Sequence, residues 1–142
     1  MKLRDLRIEN YDWHVRFYFA VHGYHTRSIL FSLEQIECPR PIMERVRENL
    51  EKADMDSGFT YFNKTRGRSV VVVGLASSQA QFLKSFEQEL RHLCDDIAVA
   101  SAMPMQGEEV AYLTGQINTM LWKDIHQFIC CKGKCDGYGQ TN

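Results

Sequence analysis

A chain of 142 residues, 44% hydrophobic and 25% charged, has the make-up of one soluble globular domain. A net charge of -1 excludes a general basic field for nucleic acid or an anionic membrane, and no apolar run reaches the ~20 residues of a transmembrane helix. The start, MKLRDLRIENYDW, lacks the apolar stretch of a secretory signal, and five cysteines, an odd number, do not make a disulfide framework, so the cytoplasm is the expected location.

Residues 13–22, WHVRFYFAVH, are aromatic and partly alternating, and predict a strand with its rings toward a core rather than a base-stacking surface. Residues 26–36, TRSILFSLEQI, read as a second strand, joined to the first in a hairpin near Gly23. Pro39 and Pro41 stop that strand. Pro41 also suits the first turn of a helix over 41–53, with Ile42, Val46 and Leu50 four apart. Ser57 and Gly58 end it.

FTYFN (59–63) and SVVVVGL (69–75) predict a second hairpin around KTRGR (64–68), whose charges suit a solvated tip. Four successive valines predict a strand buried on both faces. Ser78 and Gln81 form a capping box that opens a helix running to about Val99, with Phe82, Phe86, Leu90, Leu93 and Ile97 as its stripe. Cys94 falls within it as a small core residue. Pro104 and Gly107 mark a break. A last helix spans about 108–130, with Val110, Leu113, Ile117, Met120, Leu121 and Phe128 inward.

The order β-β-α-β-β-α-α predicts an α+β domain over residues 1–130. Two hairpins form a mainly antiparallel sheet, one helix lies between them, and two C-terminal helices cover it. Residues 131–142 read as a flexible tail containing cysteine and glycine. Cys130, Cys131 and Cys135 lie close in sequence, with His126 one turn before Cys130. That set has soft-metal ligand types, but exposed thiols are the plainer reading.

The chemistry is concentrated in FEQELRHLCDDI (86–97). Gln88-Glu89-Leu90-Arg91-His92 has the spacing of the helical zinc signature His-Glu-x-x-His, with glutamine at the first position. At 100° per residue, Gln88, His92 and Asp96 fall one turn apart on a face beside the apolar stripe, with Glu89 between face and stripe. Side chains at i and i+4 reach one ion, and a carboxylate beside them can polarise a metal-bound water. Downstream, GEEVAYLTG (107–115) supplies Glu108 and Glu109. Glu108 shares a face with the small residues Ala111, Gly115 and Thr119, which favours it over Glu109 if that face approaches the preceding helix.

Over residues 59–122 the chain resembles the small glutamate-type zincin metallopeptidases of bacteria and their phages. SVVVVGLASSQAQFLKSFEQELRHLCDDI resembles their edge strand and active-site helix, and GEEVAYLTGQI the helix that carries the third ligand. The resemblance implies Glu89 as general base, His92 as second metal ligand and Glu108 as third, with Asp96 and Glu109 as alternatives. Gln88 stands where the first ligand belongs and departs from the pattern. An amide oxygen is a far weaker zinc ligand than an imidazole nitrogen, so the expectation is no metal, or weakly bound zinc. His14, His22, His25 and His126 would be further ligands only if the fold gathered them. The resulting expectation is a degenerate, catalytically inactive site in a module that binds an unidentified protein or peptide. The alternatives are a hydrolase with an altered ligand set, His92, Asp96 and Glu108, and an unrelated α+β interaction module.

Overall fold

The computed structural model describes residues 1–52 and 55–130, so the expected tail over 131–142, with Cys131 and Cys135, lies outside the described residues, while Cys130 closes the last helix. Strand β1 (Lys2–Ile8) turns through Glu9–Tyr11 into β2 (Trp13–Val21). A short turn, Gly23–His25, leads to helices α1 (Thr26–Gln35) and α2 (Arg40–Glu51). Strands β3 (Gly58–Asn63) and β4 (Arg68–Gly74) follow, then helices α3 (Gln79–Ala100) and α4 (Glu108–Ile129). The sheet order is β1-β2-β4-β3. Both hairpins are antiparallel, but β2 and β4 run parallel at the centre, so the sheet is mixed.

The α+β class stands, and two details of the expected arrangement change. Of residues 26–36, Thr26–Gln35 form a helix rather than a strand. Ile29, Leu33 and Ile36 recur at helical spacing and are buried, while Phe31 is 58% exposed. The β-favouring side chains of that stretch yielded to the periodicity of its burial. The partner of β2 is instead β1, in which Leu6 and Ile8 alternate with charged residues. The second change concerns SVVVVGL, which was expected to be an edge strand. β4 lies between β2 and β3, and β3 is the edge. Position follows from burial: Val70 to Val73 are all buried, two on each face.

The sheet separates two cores. Val71 and Val73 join Trp13, Val15, Phe17 and Phe19 beneath α3 and α4. Val70 and Val72 join Tyr18, Ile29, Leu33 and Val46 beneath α1 and α2. Ala20 adopts φ 58°, and the β2–β4 register shifts between Tyr18 and Val21. This bulge turns Val21 to the second core, although Phe19, two residues earlier, faces the first.

α4 covers the β1 side: buried Asp124 pairs with Arg4 at 3.1 Å and Lys2 at 3.3 Å. α3 covers β4 and β3. The helices meet through the Thr114 hydroxyl, which donates to Cys94 Sγ at 3.3 Å. Among the described residues, no helix is long and apolar enough to cross a membrane.

Candidate functional site

α3 begins as its sequence dictates. Ser78 Oγ accepts a hydrogen bond from the Gln81 backbone N–H at 3.1 Å, satisfying one of the first-turn donors. Phe82, Phe86, Leu90, Leu93 and Ile97 then pack inward. The position of α3 between β3 on one flank and α4 on the other decides what each polar side chain meets.

Glu89 lies on the β3 flank and is only 7% exposed. Its Oε1 accepts a hydrogen bond from Thr60 Oγ1 at 2.8 Å. The fit around it is close. A Cβ on Gly58 would stand 3.1 Å from Glu89 Cγ, 3.2 Å from Oε2 and 2.5 Å from the Val72 carbonyl oxygen. Burial pushes the Glu89 carboxyl up from its ordinary value, against the opposing effects of the Thr60 hydrogen bond and His92.

Asp96 shares this flank. Burial pushes its carboxyl up to about 6; His92 opposes that rise and the neighbouring charge of Asp95 adds to it. Asp95 itself is paired with Arg91 at 3.0 Å. His92 and Gln88 are exposed further round the helix. The structure therefore gathers Glu89, His92 and Asp96, with Gln88 one turn before His92. Asp96, raised to about 6 beside an imidazole, can take up a proton just below neutral pH, and the Glu89 carboxyl is raised in the same direction.

Glu108 and Glu109 are elsewhere. Cys94 marks the side of α3 that faces α4, and at 100° per residue it lies about 160° around the helix from His92. α4 returns along α3 with Thr114 level with Cys94. Glu108 is six residues before Thr114 and His92 two before Cys94, which separates them by about 12 Å along the axis. The small-residue face of α4 does not approach α3. Ala111 and Thr119 are exposed, and a Cβ on Gly115 would meet nothing within 4 Å. Glu108 points to solvent with them. Glu109 is exposed near Tyr11, whose hydroxyl donates to Met103 Sδ at 3.3 Å and whose pKa is raised by burial and then by the charge of Glu109.

The remaining histidines are not gathered at α3. His14 is exposed on β2, opposite Arg7 and Arg68 in the register. The rings of His22 and His25 are 4.4 Å apart beyond the end of β2, and burial followed by the charge of His22 lowers the His25 pKa. His126 lies against Trp122 at 5.0 Å. Among the described residues, no three His, Cys, Asp or Glu side chains are placed to hold one metal ion. With Gln88 neutral and Glu108 across the helix, the side chains present do not fit the three-ligand zinc of a zincin.

No family model, curated protein or solved structure matches the chain.

Thr60 and Gly58 are the two contributors that sequence reasoning missed. In the sequence, Gly58 reads only as a helix breaker and Thr60 only as one residue of a strand. Once β3 is known to run beside α3, Thr60 supplies the hydroxyl and Gly58 the space that Glu89 requires.

Proposed function

We propose that this chain is a zincin-like protein with a degenerate metallopeptidase site, catalytically inactive, which binds an extended peptide segment by strand addition along β3. The observation that carries this reading is the Glu89 carboxylate, buried beneath the edge strand and bonded to Thr60. An acidic side chain rarely stays at such a position without a partner that rewards it. In the zincin plan, the active-site helix follows a hairpin whose edge strand can hold an extended substrate, and the edge strand of the hairpin before α3 is β3. Among the described residues no strand pairs with the outer edge of β3, so its backbone groups are open to an added strand. A peptide seated there would run over the flank that carries Glu89, His92 and Asp96. Its reactive bond would meet no assembled three-ligand metal.

The altered ligand set of His92, Asp96 and Glu108 is a second reading. Asp96 favours it, because its carboxyl is raised and lies beside His92. Glu108 opposes it from the far flank.

Metal analysis of the full chain and of Gln88→His, beside peptidase assays, separates these readings. The expected result is zinc in Gln88→His, none in the natural protein, and no peptide cleavage by the natural protein. Stoichiometric zinc with cleavage in the natural protein would establish the hydrolase. Zinc in neither form would remove the zincin-like reading. The binding role is tested by hydrogen exchange with peptides selected from a random library. Protection should fall on the β3 amides, and protection confined to other elements would end the strand-addition model.

A further inference from the structure

The outer face of α4 takes no part in the α3 site. Glu108, Tyr112, Gly115, Thr119, Trp122 and His126 share it at alternating spacings of four and three. That is the spacing with which one helix meets another along a seam. Tyr112 is 74% exposed and Trp122 44%. Between them, Gly115 opens onto empty space. Two large rings stand in water on either side of a shallow gap, and no described element covers them.

The order of these residues is nearly the same in chemical terms from either end. About Ile117, Glu108 mirrors His126, Tyr112 mirrors Trp122, and Gly115 mirrors Thr119. A two-fold axis through that point lays a second helix antiparallel on the first, with each residue opposite its mirror. A carboxylate then faces an imidazole, with Lys123 one turn away on the same partner. Aromatic faces aromatic, and small side chains meet at the centre, where they permit close approach. The acidic first turn of one helix lies against the basic last turn of the other. A parallel pairing would set Glu108 against Glu108 and lose all of this. His126 packs on Trp122 within one protomer, which holds the indole at the seam.

We propose that the chain forms a two-fold homodimer by antiparallel packing of α4 against α4, centred near Ile117. The interface rests on Tyr112 and Trp122 and is placed in register by Glu108 against His126 and Lys123. The proposal is independent of the reading of α3.

Sedimentation equilibrium of the full chain in reducing buffer, across a micromolar concentration series, measures it directly. A dimer is expected. Trp122→Ser should weaken it about tenfold or more, as loss of an aromatic anchor does. Lys123→Glu should also weaken it, by placing like charges together. Adding Glu108→Lys to Lys123→Glu should restore it. Within one chain those positions lie 15 residues apart, about 22 Å along the helix, so restoration can come only from the partner. Unchanged circular dichroism and melting confirm that the variants fold; if Trp122→Ser does not fold, the charge-swapped pair decides. A monomer at all concentrations would overturn the proposal. So would a dimer indifferent to Trp122→Ser, or a charge-swapped pair no stronger than Lys123→Glu alone.

Discussion

The Thr60 hydroxyl donates to the Glu89 carboxylate at 2.8 Å, joining the edge strand β3 to the helix α3. The bond reaches Glu89 Oε1 and opposes the rise in pKa that burial imposes. The same contact fixes the angle at which Glu89 sits beneath the strand. Structure and electrostatics at this point are therefore one arrangement.

Thr60→Val keeps the shape of the side chain and removes the donor. The Glu89 carboxyl should rise further above its ordinary 4.5, which carboxyl NMR titration measures. Stability at pH 7 should fall by about 1.5–3 kcal/mol, the range for a hydrogen bond to a charged group, as measured by urea unfolding. A raised carboxyl contributes stability that is complete below its unfolded pKa and is lost as pH rises through its folded one. The penalty of Thr60→Val should therefore shrink as the pH falls through the raised folded values and be gone below the ordinary carboxyl range. An equal penalty at acid and neutral pH would contradict this account.

Asp96→Asn tests the second carboxyl of the flank. The folded value of about 6 exceeds the ordinary 3.8, so the natural protein should lose stability from this group as pH climbs from about 4 through 6. The asparagine variant has no such loss. It should be more stable at pH 7 by about 1–2 kcal/mol, after allowance for solvent screening of a partly exposed group. Below pH 4 the two should converge. Asp5 is lowered by its hydrogen bond to Arg16 and gives the opposite pH slope, but it does so in both proteins and cancels from the comparison. Paired chemical denaturation curves across this range supply the measurement.

Zinc in a Gln88→His background should depend on His92 and Asp96 and not on Glu108. The restored imidazole would stand one turn before His92 on the exposed face, with Asp96 one turn beyond. Adding His92→Ala should abolish binding and adding Asp96→Ala should weaken it at least tenfold. Adding Glu108→Ala should leave it unchanged, because Glu108 lies on the other side of α3. Isothermal titration with zinc distinguishes these cases. A large loss from Glu108→Ala would mean that α4 moves when metal binds.

How far this was legible in the sequence depended on which interaction fixed each feature. Local rules located α3: Ser78 caps it and its apolar stripe is buried as spaced. Burial on both faces was also written in Val70–Val73. What that burial excluded, an edge position for β4, was not carried through. α1 departs from the expected strand because Thr26, Ile29 and Phe31 favour strands, while the burial of Ile29, Leu33 and Ile36 follows a helix. The placement of Glu108 failed for a tertiary reason. Helical phase gave the right face, Ala111, Gly115 and Thr119, but phase does not say what a face meets. Small residues that suggested contact with α3 turned out to open onto solvent. Thr60 could not be assigned at all, since its role exists only after the sheet order is known.

Gly58→Ala should be the most disruptive single change at the site, although it adds one methyl group. The new Cβ would stand 2.5 Å from the Val72 carbonyl oxygen, a backbone atom in the neighbouring strand. That atom cannot swing aside as a side chain can, so β3 must move from β4 or twist. The same Cβ would stand 3.1 Å from Glu89 Cγ, so the shift passes directly to the carboxylate. A loss of about 2–3 kcal/mol is expected, in the range for overpacking a close-fitted interior. Displacement of Glu89 should also loosen its bond to Thr60. The losses from Gly58→Ala and Thr60→Val should then be less than additive, because the first has already removed part of what the second removes. A double-mutant cycle in urea measures the shortfall. Strict additivity would show that Gly58 acts on the β3–β4 pairing alone and that Glu89 holds its place without it.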